Sequence, residues 1–272
     1  MRKRVRIAVA LLLVAIAGVI IRETLREREP VYQGKRLSVW LDQYAANHGA
    51  GGNRELEGQA EAAIRQIGTN AIPFYLELIA TKDSPLKIWL RMSVPETWLS
   101  RLHLHASSDY RLRGELGIMA LGGDAKPAIP GLIASLSDKN PDVRFSALEA
   151  LRVLGPLAAD ASPSLIKCLR DPDLRVAVSA VESLDSIRQK PEQAVPMLME
   201  LLARPTDPQR QASFGILHHV AIRSLGQFGA QAKPAVPVLL GFLNDTKTYV
   251  RLDATNALKA IDPEAAAKAG VR

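Results

Sequence analysis

The sequence predicts an all-α protein: an α-solenoid of about six helix pairs, preceded by one N-terminal transmembrane or signal-anchor helix. Three observations lead to this fold class. The 272 residues are 47% hydrophobic but only 5% aromatic, a balance typical of closely packed helices with small residues at their contacts. Blocks of sequence recur at regular spacing through most of the chain, which indicates stacked structural repeats. A basic N-terminus is followed by an unbroken apolar run, the pattern of a membrane segment.

The repeat is established by two blocks that recur at one common offset. The segment at 125–130 reads Ala-Lys-Pro-Ala-Ile-Pro and returns at 232–237 as Ala-Lys-Pro-Ala-Val-Pro. The segment at 143–147 returns at 250–254, the same distance further along the chain. A shared offset in separate blocks indicates internal duplication. The spacing between copies is equal in most of the chain, but it is longer before the fifth copy and longest between the first and second.

Each copy begins with a helix whose buried face is visible as columns of equivalent residues. A column of small residues reads Ala60, Gly114, Ala147, Ala180, Ala221 and Ala254. Three residues later, a second small column reads Ala63, Gly117, Ala150, Ser183, Ser224 and Ala257. The adjoining apolar column reads Ile64, Ile118, Leu151, Leu184, Leu225 and Leu258. A further apolar column, seven residues after the first, reads Ile67, Leu121, Leu154, Ile187, Phe228 and Ile261. Spacings of 3, 4 and 7 residues trace one face of a helix, so these columns predict the contacts between neighbouring helices.

Each first helix is expected to end at a glycine, and a second helix that opens with proline is expected to follow. The glycines, suited to a left-handed C-terminal cap, are Gly68, Gly122, Gly155 and Gly229. The prolines, which lack an N–H that the first helical turn leaves unused, are Pro73, Pro130, Pro163, Pro196 and Pro237. The sixth copy has only Pro263 and a short stub, so it is expected to end the stack. An insertion at about residues 82–108 is expected to add one or two helices.

These repeats resemble HEAT repeats, most nearly the short phycobilisome-lyase-like variety in its membrane-tethered bacterial form. The resemblance covers residues 55–272 and rests on the motif Ala-x-Pro-Ala-[Ile/Val]-Pro, on loop aspartates and on Val-Arg pairs. It implies that loop aspartates and helix arginines pair along the stack as a structural ladder. The ladder residues in this sequence are Asp138, Arg144, Asp171, Asp245 and Arg251, with Asp138 expected to pair with Arg144 and Asp245 with Arg251. Arg175, two positions early, and His218 interrupt the arginine column in the fourth and fifth copies.

Residues 1–29 form the predicted anchor. Its apolar run at 7–21 follows four basic residues. Extended back to Val5, with the Arg6 side chain reaching the headgroups, the segment has 17 residues, the short end of the range for a spanning helix. An uncleaved signal anchor is favoured because the run continues until it meets charge at Arg22. A cleaved signal peptide, cut after the small residues at 15–17, remains open, as does a buried helix. The basic tail is placed in the cytoplasm and the solenoid on the extracytoplasmic (periplasmic) side.

Residues 30–54 are predicted to form a capping helix and a Gly-rich link between the anchor and the stack. Leu37, Trp40, Leu41 and Tyr44 fall on one helical face. Because a solenoid ends in an exposed apolar surface, this stripe is expected to cover its N-terminal end.

The charge and motif content favour binding over catalysis. The net charge is +7, but residues 1–29 carry +4 of it, so the repeats show no basic stripe for nucleic acid. His103 and His105 lack further metal ligands at suitable spacing, and the single cysteine, Cys168, lacks an activating partner in the sequence. The sequence therefore predicts neither catalytic residues, nor a cofactor, nor a metal site.

The leading hypothesis is a non-catalytic protein–protein interaction scaffold tethered at a membrane. Its binding face is expected on second-helix positions that the core does not use: Glu77, Lys167, Arg170, Glu200 and Arg204. The mixed charge of this set suits a protein or peptide partner. The alternative is a HEAT-like enzyme or a protein related to bilin lyases, which the resemblance suggests by fold alone.

Overall fold

A computed structural model of the chain describes residues 29–93, 106–187, 191–203 and 211–271. The predicted anchor at residues 7–21 lies outside these ranges. Among the helices that are described, none is both long and apolar enough to cross a bilayer.

The described chain is helical apart from one short hairpin, in which β1 (Val31–Tyr32) pairs antiparallel with β2 (Lys35–Arg36). Helix α1 (Leu37–Asn47) follows the hairpin, and α4 (Pro85–Ser93) lies in the insertion. The first helices of the repeats are α2 (Arg54–Ile67), α5 (Ser107–Leu121), α7 (Pro141–Leu154), α9 (Leu174–Ser186), α11 (Gln211–Gln227) and α13 (Thr248–Ile261). The second helices are α3 (Ile72–Ile79), α6 (Ile129–Ser135), α8 (Ser162–Cys168), α10 (Pro191–Leu202) and α12 (Val236–Phe242), with α14 (Pro263–Lys268) as the stub of the last copy.

The predicted columns form the core of the stack. Both small columns and the first apolar column are buried in all six copies, while Ile67 and Phe228 in the outer apolar column are half-buried. Each first helix from α5 onward packs against the first helix of the next copy. Successive repeats are thus stacked on one another. The small residues allow neighbouring helices to approach closely, and the Leu or Ile side chains fill the space between them.

The helix ends follow local chemistry. All four predicted capping glycines have positive φ, between 53° and 66°, a conformation that costs glycine little because it has no Cβ. Short 3₁₀ turns then lead into the second helices, where α3, α6, α8 and α12 carry proline in the first turn. At the start of first helices, Asn53, Asn140 and Asp173 accept hydrogen bonds from the backbone N–H two residues later, which satisfies otherwise unpaired donors.

The fourth copy departs from the predicted pattern. Pro196 lies inside α10, which begins five residues earlier at Pro191. Pro191 takes the first-turn position instead, so residues 191–194 are helical where the equivalent residues of the preceding copy, 158–161, belong to a 3₁₀ turn. The carbonyl that Pro196 leaves without its helical donor belongs to Glu192, an exposed residue, where water can satisfy it.

The second copy has glycines in the two small columns because a tyrosine packs against them. Tyr75 of α3 is fully buried. A Cβ on Gly117 would lie 2.3 Å from Tyr75 Cε1, and one on Gly114 would lie 2.8 Å from the Tyr75 carbonyl oxygen. Gly117 therefore makes room for the aromatic ring, and Gly114 allows close approach of the α3 main chain, where other copies have alanine or serine.

Helix α1 covers the N-terminal end of the stack. The four apolar residues of its predicted stripe are 0–4% exposed, and the helix packs against α2 and α5. Trp40 Nε1 donates to the Tyr32 carbonyl oxygen at 3.2 Å, which ties the hairpin to the helix. An ion pair between Asp42 and Arg113 joins α1 to α5.

Candidate partner-binding surface

The second helices present one repeated row of exposed positions. The fourth residue after each repeat proline is exposed in every copy from the first to the fifth. These residues, which we call the second-helix row, are Glu77, Ala134, Lys167, Glu200 and Gly241. Buried neighbours such as Leu78, Leu165 and Leu201 fix each helix against the core, so the row stands on a rigid support.

The charged positions gather on two adjoining helices. Lys167 and Arg170 lie one turn apart at the end of α8, and Arg170 forms an ion pair with Glu200 of α10. Both side chains of this pair are more than half exposed, at 64% and 56%. Glu77 lies two second helices away, on α3, and Arg204 lies outside the described residues. The structure thus brings together three of the five residues that the sequence assigned to a binding face.

The loop edge of the stack carries the predicted ladder residues. The carboxylate that binds the Arg144 side chain belongs to Asp171, however, and not to Asp138. Arg144 donates to both carboxylate oxygens of Asp171 in the next copy, at 2.7 and 2.6 Å. Arg144 also donates to the main-chain oxygen of Asp138 at 2.8 Å. The Asp138 carboxylate instead accepts a hydrogen bond from Lys82 Nζ at 2.7 Å. The hydrogen bonds that Arg144 donates to the Asp171 carboxylate raise the pKa of Arg144 above its usual value. Arg144 therefore links consecutive repeats.

The other ladder positions differ in the partners that their side chains bind. Arg251 donates to the main-chain oxygen of Asp245 at 2.8 Å, as Arg144 does to Asp138. Arg175 binds Asp173 in its own copy and Asp142 in the preceding one. In the fifth copy the ring of His218 packs edge-on against Phe242, with centroids 5.0 Å apart.

Arg111 is a ladder residue that the sequence reasoning missed. It is buried, donates to the Thr81 carbonyl oxygen at 2.9 Å and lies 3.3 Å from a carboxylate oxygen of Asp142 in the next copy. Its signal was present in the columns, because Arg111 precedes Gly114 by three residues, as Arg144 precedes Ala147.

Two half-buried acidic side chains lie between the first helices. Burial raises the pKa of Glu115 in α5 to about 7, with a smaller contribution in the same direction from Glu149. Burial likewise raises the pKa of Asp185 in α9 to about 6, although Ser224 of α11 donates a hydrogen bond to it. These groups lie in the seam between stacked helices and not on the second-helix row, so they bear on stability.

We expect the chain to lose stability as pH rises from 5 to 8, in part through Glu115. Burial raises the pKa of this carboxyl to about 7 in the folded chain, from an ordinary value of 4.5, so folding holds the proton. That stabilisation is complete below pH 4.5 and is lost as pH rises through 7. Ser146, Arg111 and Arg152 oppose the shift.

Urea unfolding at pH 5 and pH 8 measures this effect. The part of the stability loss that is due to Glu115 should be on the order of 2 kcal/mol. Glu115→Gln should remove most of that part. Glu192→Gln, on the exposed start of α10, is the matched control and should leave the pH dependence unchanged. An equal pH dependence in wild type and Glu115→Gln would contradict this role.

The described residues offer little for catalysis. Cys168 is buried, and burial raises the pKa of its thiol to about 11, which is opposite to the activation of a nucleophile. No group of three or more His, Cys, Asp or Glu side chains within the described ranges could hold a metal ion. His103 and His105 lie outside those ranges.

Comparison with known proteins agrees with the repeat pattern. Residues 129–217 match the family described as HEAT repeats. Within residues 129–217 the match agrees with the repeat that the sequence predicts, and a stacked-repeat fold of this kind is suited to binding along an extended surface. Among curated proteins, none matches the chain in sequence.

Solved structures with a similar backbone fold include designed repeat proteins. A crystal structure of an engineered protein from the Northeast Structural Genomics Consortium is 17% identical, with a TM-score of 0.49, over 82% of this chain and 98% of that one. A designed armadillo repeat protein in complex with the peptide (KR)4 is 15% identical, with a TM-score of 0.46, over 84% of this chain and 100% of that one. The complex of CpcE and CpcF of phycocyanin lyase from Nostoc sp. PCC7120 is 19% identical, with a TM-score of 0.40, over 89% of this chain and 84% of that one.

Proposed function

We propose that this protein is a non-catalytic interaction scaffold that binds a protein or peptide along its second-helix row. The observation that carries the proposal is the row itself: exposed positions in matching places on five successive helices, each backed by buried residues. A rigid, repeated surface binds an extended ligand at a low entropic cost because little of it must become ordered. The absence of an enzymatic role is part of the proposal.

The charges in the middle of the row favour a ligand that carries both signs. Arg170 and Glu200 are paired across α8 and α10, but both are largely exposed. An exposed pair contributes about 0–1 kcal/mol, so a ligand can replace it with its own charged groups at little cost. Lys167 adds an exposed positive charge one turn from Arg170. Acidic and basic side chains of a peptide would therefore find opposite charges at neighbouring positions.

The two neutral positions of the row favour close approach of the ligand backbone. Ala134 and Gly241 occupy the row on α6 and α12, where they leave the surface without long side chains. Recognition by charge would thus be concentrated around α8 and α10, with Glu77 adding a further negative charge on α3 and with α6 and α12 supplying shape.

Selection from a random peptide library on the immobilised full chain tests the proposal. The enriched peptides should bind wild type and lose about tenfold or more in affinity for Lys167→Glu/Arg170→Glu, equivalent to about 1.4 kcal/mol. The matched control is Lys259→Glu/Lys268→Glu, which makes the same charge change at exposed positions on α13 and α14. Failure to enrich any peptide, or equal losses in both variants, would overturn the assignment of the face.

We further propose that residues 7–21 hold the scaffold at a membrane with the repeats on the extracytoplasmic side. The support is the apolar run and its basic flank in the sequence. Reporter fusions to the C-terminus test the orientation: a periplasmic-active reporter should be active and a cytoplasmic-active one inactive. The reverse pattern would place the repeats in the cytoplasm.

A further inference from the structure

Helix α4 in the insertion exposes a large apolar surface. Ile88, Trp89 and Met92 are 48%, 59% and 85% exposed. They are spaced by one, three and four residues, so they share one face of the helix. Single exposed apolar residues are common on folded proteins, but a cluster containing Trp and Met on one helical face marks an interaction site.

The insertion starts and ends at a fixed point on the loop edge of the stack. Ser107 donates from its side chain and its main-chain N–H to Asp83 Oδ1, at 2.6 and 3.3 Å. Nearby, Arg111 binds the Thr81 carbonyl oxygen at 2.9 Å, and Lys82 binds Asp138 in the next loop at 2.7 Å. Both ends of the insertion are thus tied to the first loop of the ladder. These hydrogen bonds involve no residue of the second-helix row.

The charge of α4 indicates which surface its apolar face meets. The helix sequence contains two basic residues, Lys87 and Arg91, and no acidic residue. Pairing of two copies through α4 would bring four positive charges together without a compensating carboxylate on the helix. Basic residues beside Trp and aliphatic side chains are instead the composition of helices that lie in the interface of an anionic bilayer.

We propose that α4 is a membrane-contact helix that inserts Ile88, Trp89 and Met92 among the headgroups of an anionic lipid bilayer. Tryptophan suits this boundary because its ring is apolar and its N–H can remain hydrated. The insertion begins and ends at the loop edge, and the proposed contact uses no residue of the second-helix row, which is left for its ligand. The inference goes beyond the scaffold role and does not depend on which peptide binds there.

Depth-sensitive fluorescence on the full chain tests this contact. An environment-sensitive label at Met92→Cys, in a Cys168→Ala background, is mixed with vesicles of phosphatidylcholine containing phosphatidylserine. Its emission should shift to the blue and be quenched by spin-labelled lipid. The matched control is a label at Leu252→Cys on α13, which is 58% exposed and should show neither change.

Charge reversal and native tryptophan provide the second arm. The change Lys87→Glu/Arg91→Glu should abolish the blue shift at position 92. In the unlabelled chain, quenching of tryptophan by brominated anionic lipid should fall severalfold in Trp89→Ala, so the result does not rest on the cysteine background. Equal responses at positions 92 and 252, or a blue shift that appears without lipid and grows with protein concentration, would overturn the proposal; the latter would indicate self-association.

Discussion

Replacing Arg144 by alanine is expected to lower the free energy of unfolding by about 3 kcal/mol. Arg144 and Asp171 are only 11% and 8% exposed, and the guanidinium contacts both carboxylate oxygens. Removing one partner of such a pair leaves the other charge buried without compensation, a change that costs about 3–5 kcal/mol in proteins. Because the pair joins two repeats, the loss acts on the interface between them. Urea denaturation followed by circular dichroism measures it.

Arg251→Ala is the matched control for this prediction. Arg251 makes the same main-chain contacts, to the carbonyl oxygens of Asp245 and Thr246 at 2.8 and 3.1 Å, and adds the Thr248 hydroxyl at 3.0 Å. Loss of these neutral acceptors should cost about 1 kcal/mol. The double variant Arg144→Ala/Asp171→Ala should be less destabilised than the two single losses added together. Equal effects of Arg144→Ala and Arg251→Ala would show that the carboxylate contributes nothing.

Gly117→Ala is expected to destabilise the second copy by about 3 kcal/mol. The new methyl group would lie 2.3 Å from Tyr75 Cε1, and Tyr75 has no exposed surface through which to move aside. Overpacking of a dense core costs about 1–3 kcal/mol and sometimes more. In the other copies the same column accepts alanine or serine, so the effect should be specific to the site facing the tyrosine ring. Thermal and urea unfolding measure it.

A rescue and a control separate this clash from the general effect of alanine in a helix. Tyr75→Leu removes the ring that the methyl group meets, so Gly117→Ala should cost much less in that background. Gly58→Ala in α2, where a Cβ would meet nothing within 4 Å, should raise stability by about 0.5–1 kcal/mol because alanine is the better helix former. A neutral Gly117→Ala in the wild-type background would contradict the packing of Tyr75.

Sequence periodicity was sufficient to predict the helices and their buried faces, because every copy must bury the same positions against its neighbours. It did not predict why the second copy has glycine at 114 and 117, since the causes are the main chain of α3 at Gly114 and the Tyr75 ring at Gly117. The prediction for the start of the fourth copy's second helix at Pro196 was wrong, because an earlier proline, Pro191, starts that helix. Glu115 could have been noticed, as its equivalents in the third, fourth and fifth copies are Leu148, Val181 and Ile222.

The ladder and the binding surface were predicted less completely than the fold. The sequence identified Arg144 and Asp171 but not their pairing with each other, which depends on how one repeat sits on the next. The same holds for Arg170 and Glu200, whose ion pair follows from the adjacency of α8 and α10. Exposure of the second-helix row could be predicted from the columns, whereas the identity of its ligand depends on chemistry beyond this chain.

Hydrogen–deuterium exchange of the full chain, with and without a peptide enriched from the library, tests the central claim most directly. The proposed scaffold predicts slower exchange in α8, in the turn after it and in α10, which carry Lys167, Arg170 and Glu200, with the first helices α7 and α9 unchanged. Protection confined to the first helices, or no protection anywhere at saturating peptide, would contradict binding along the second-helix row.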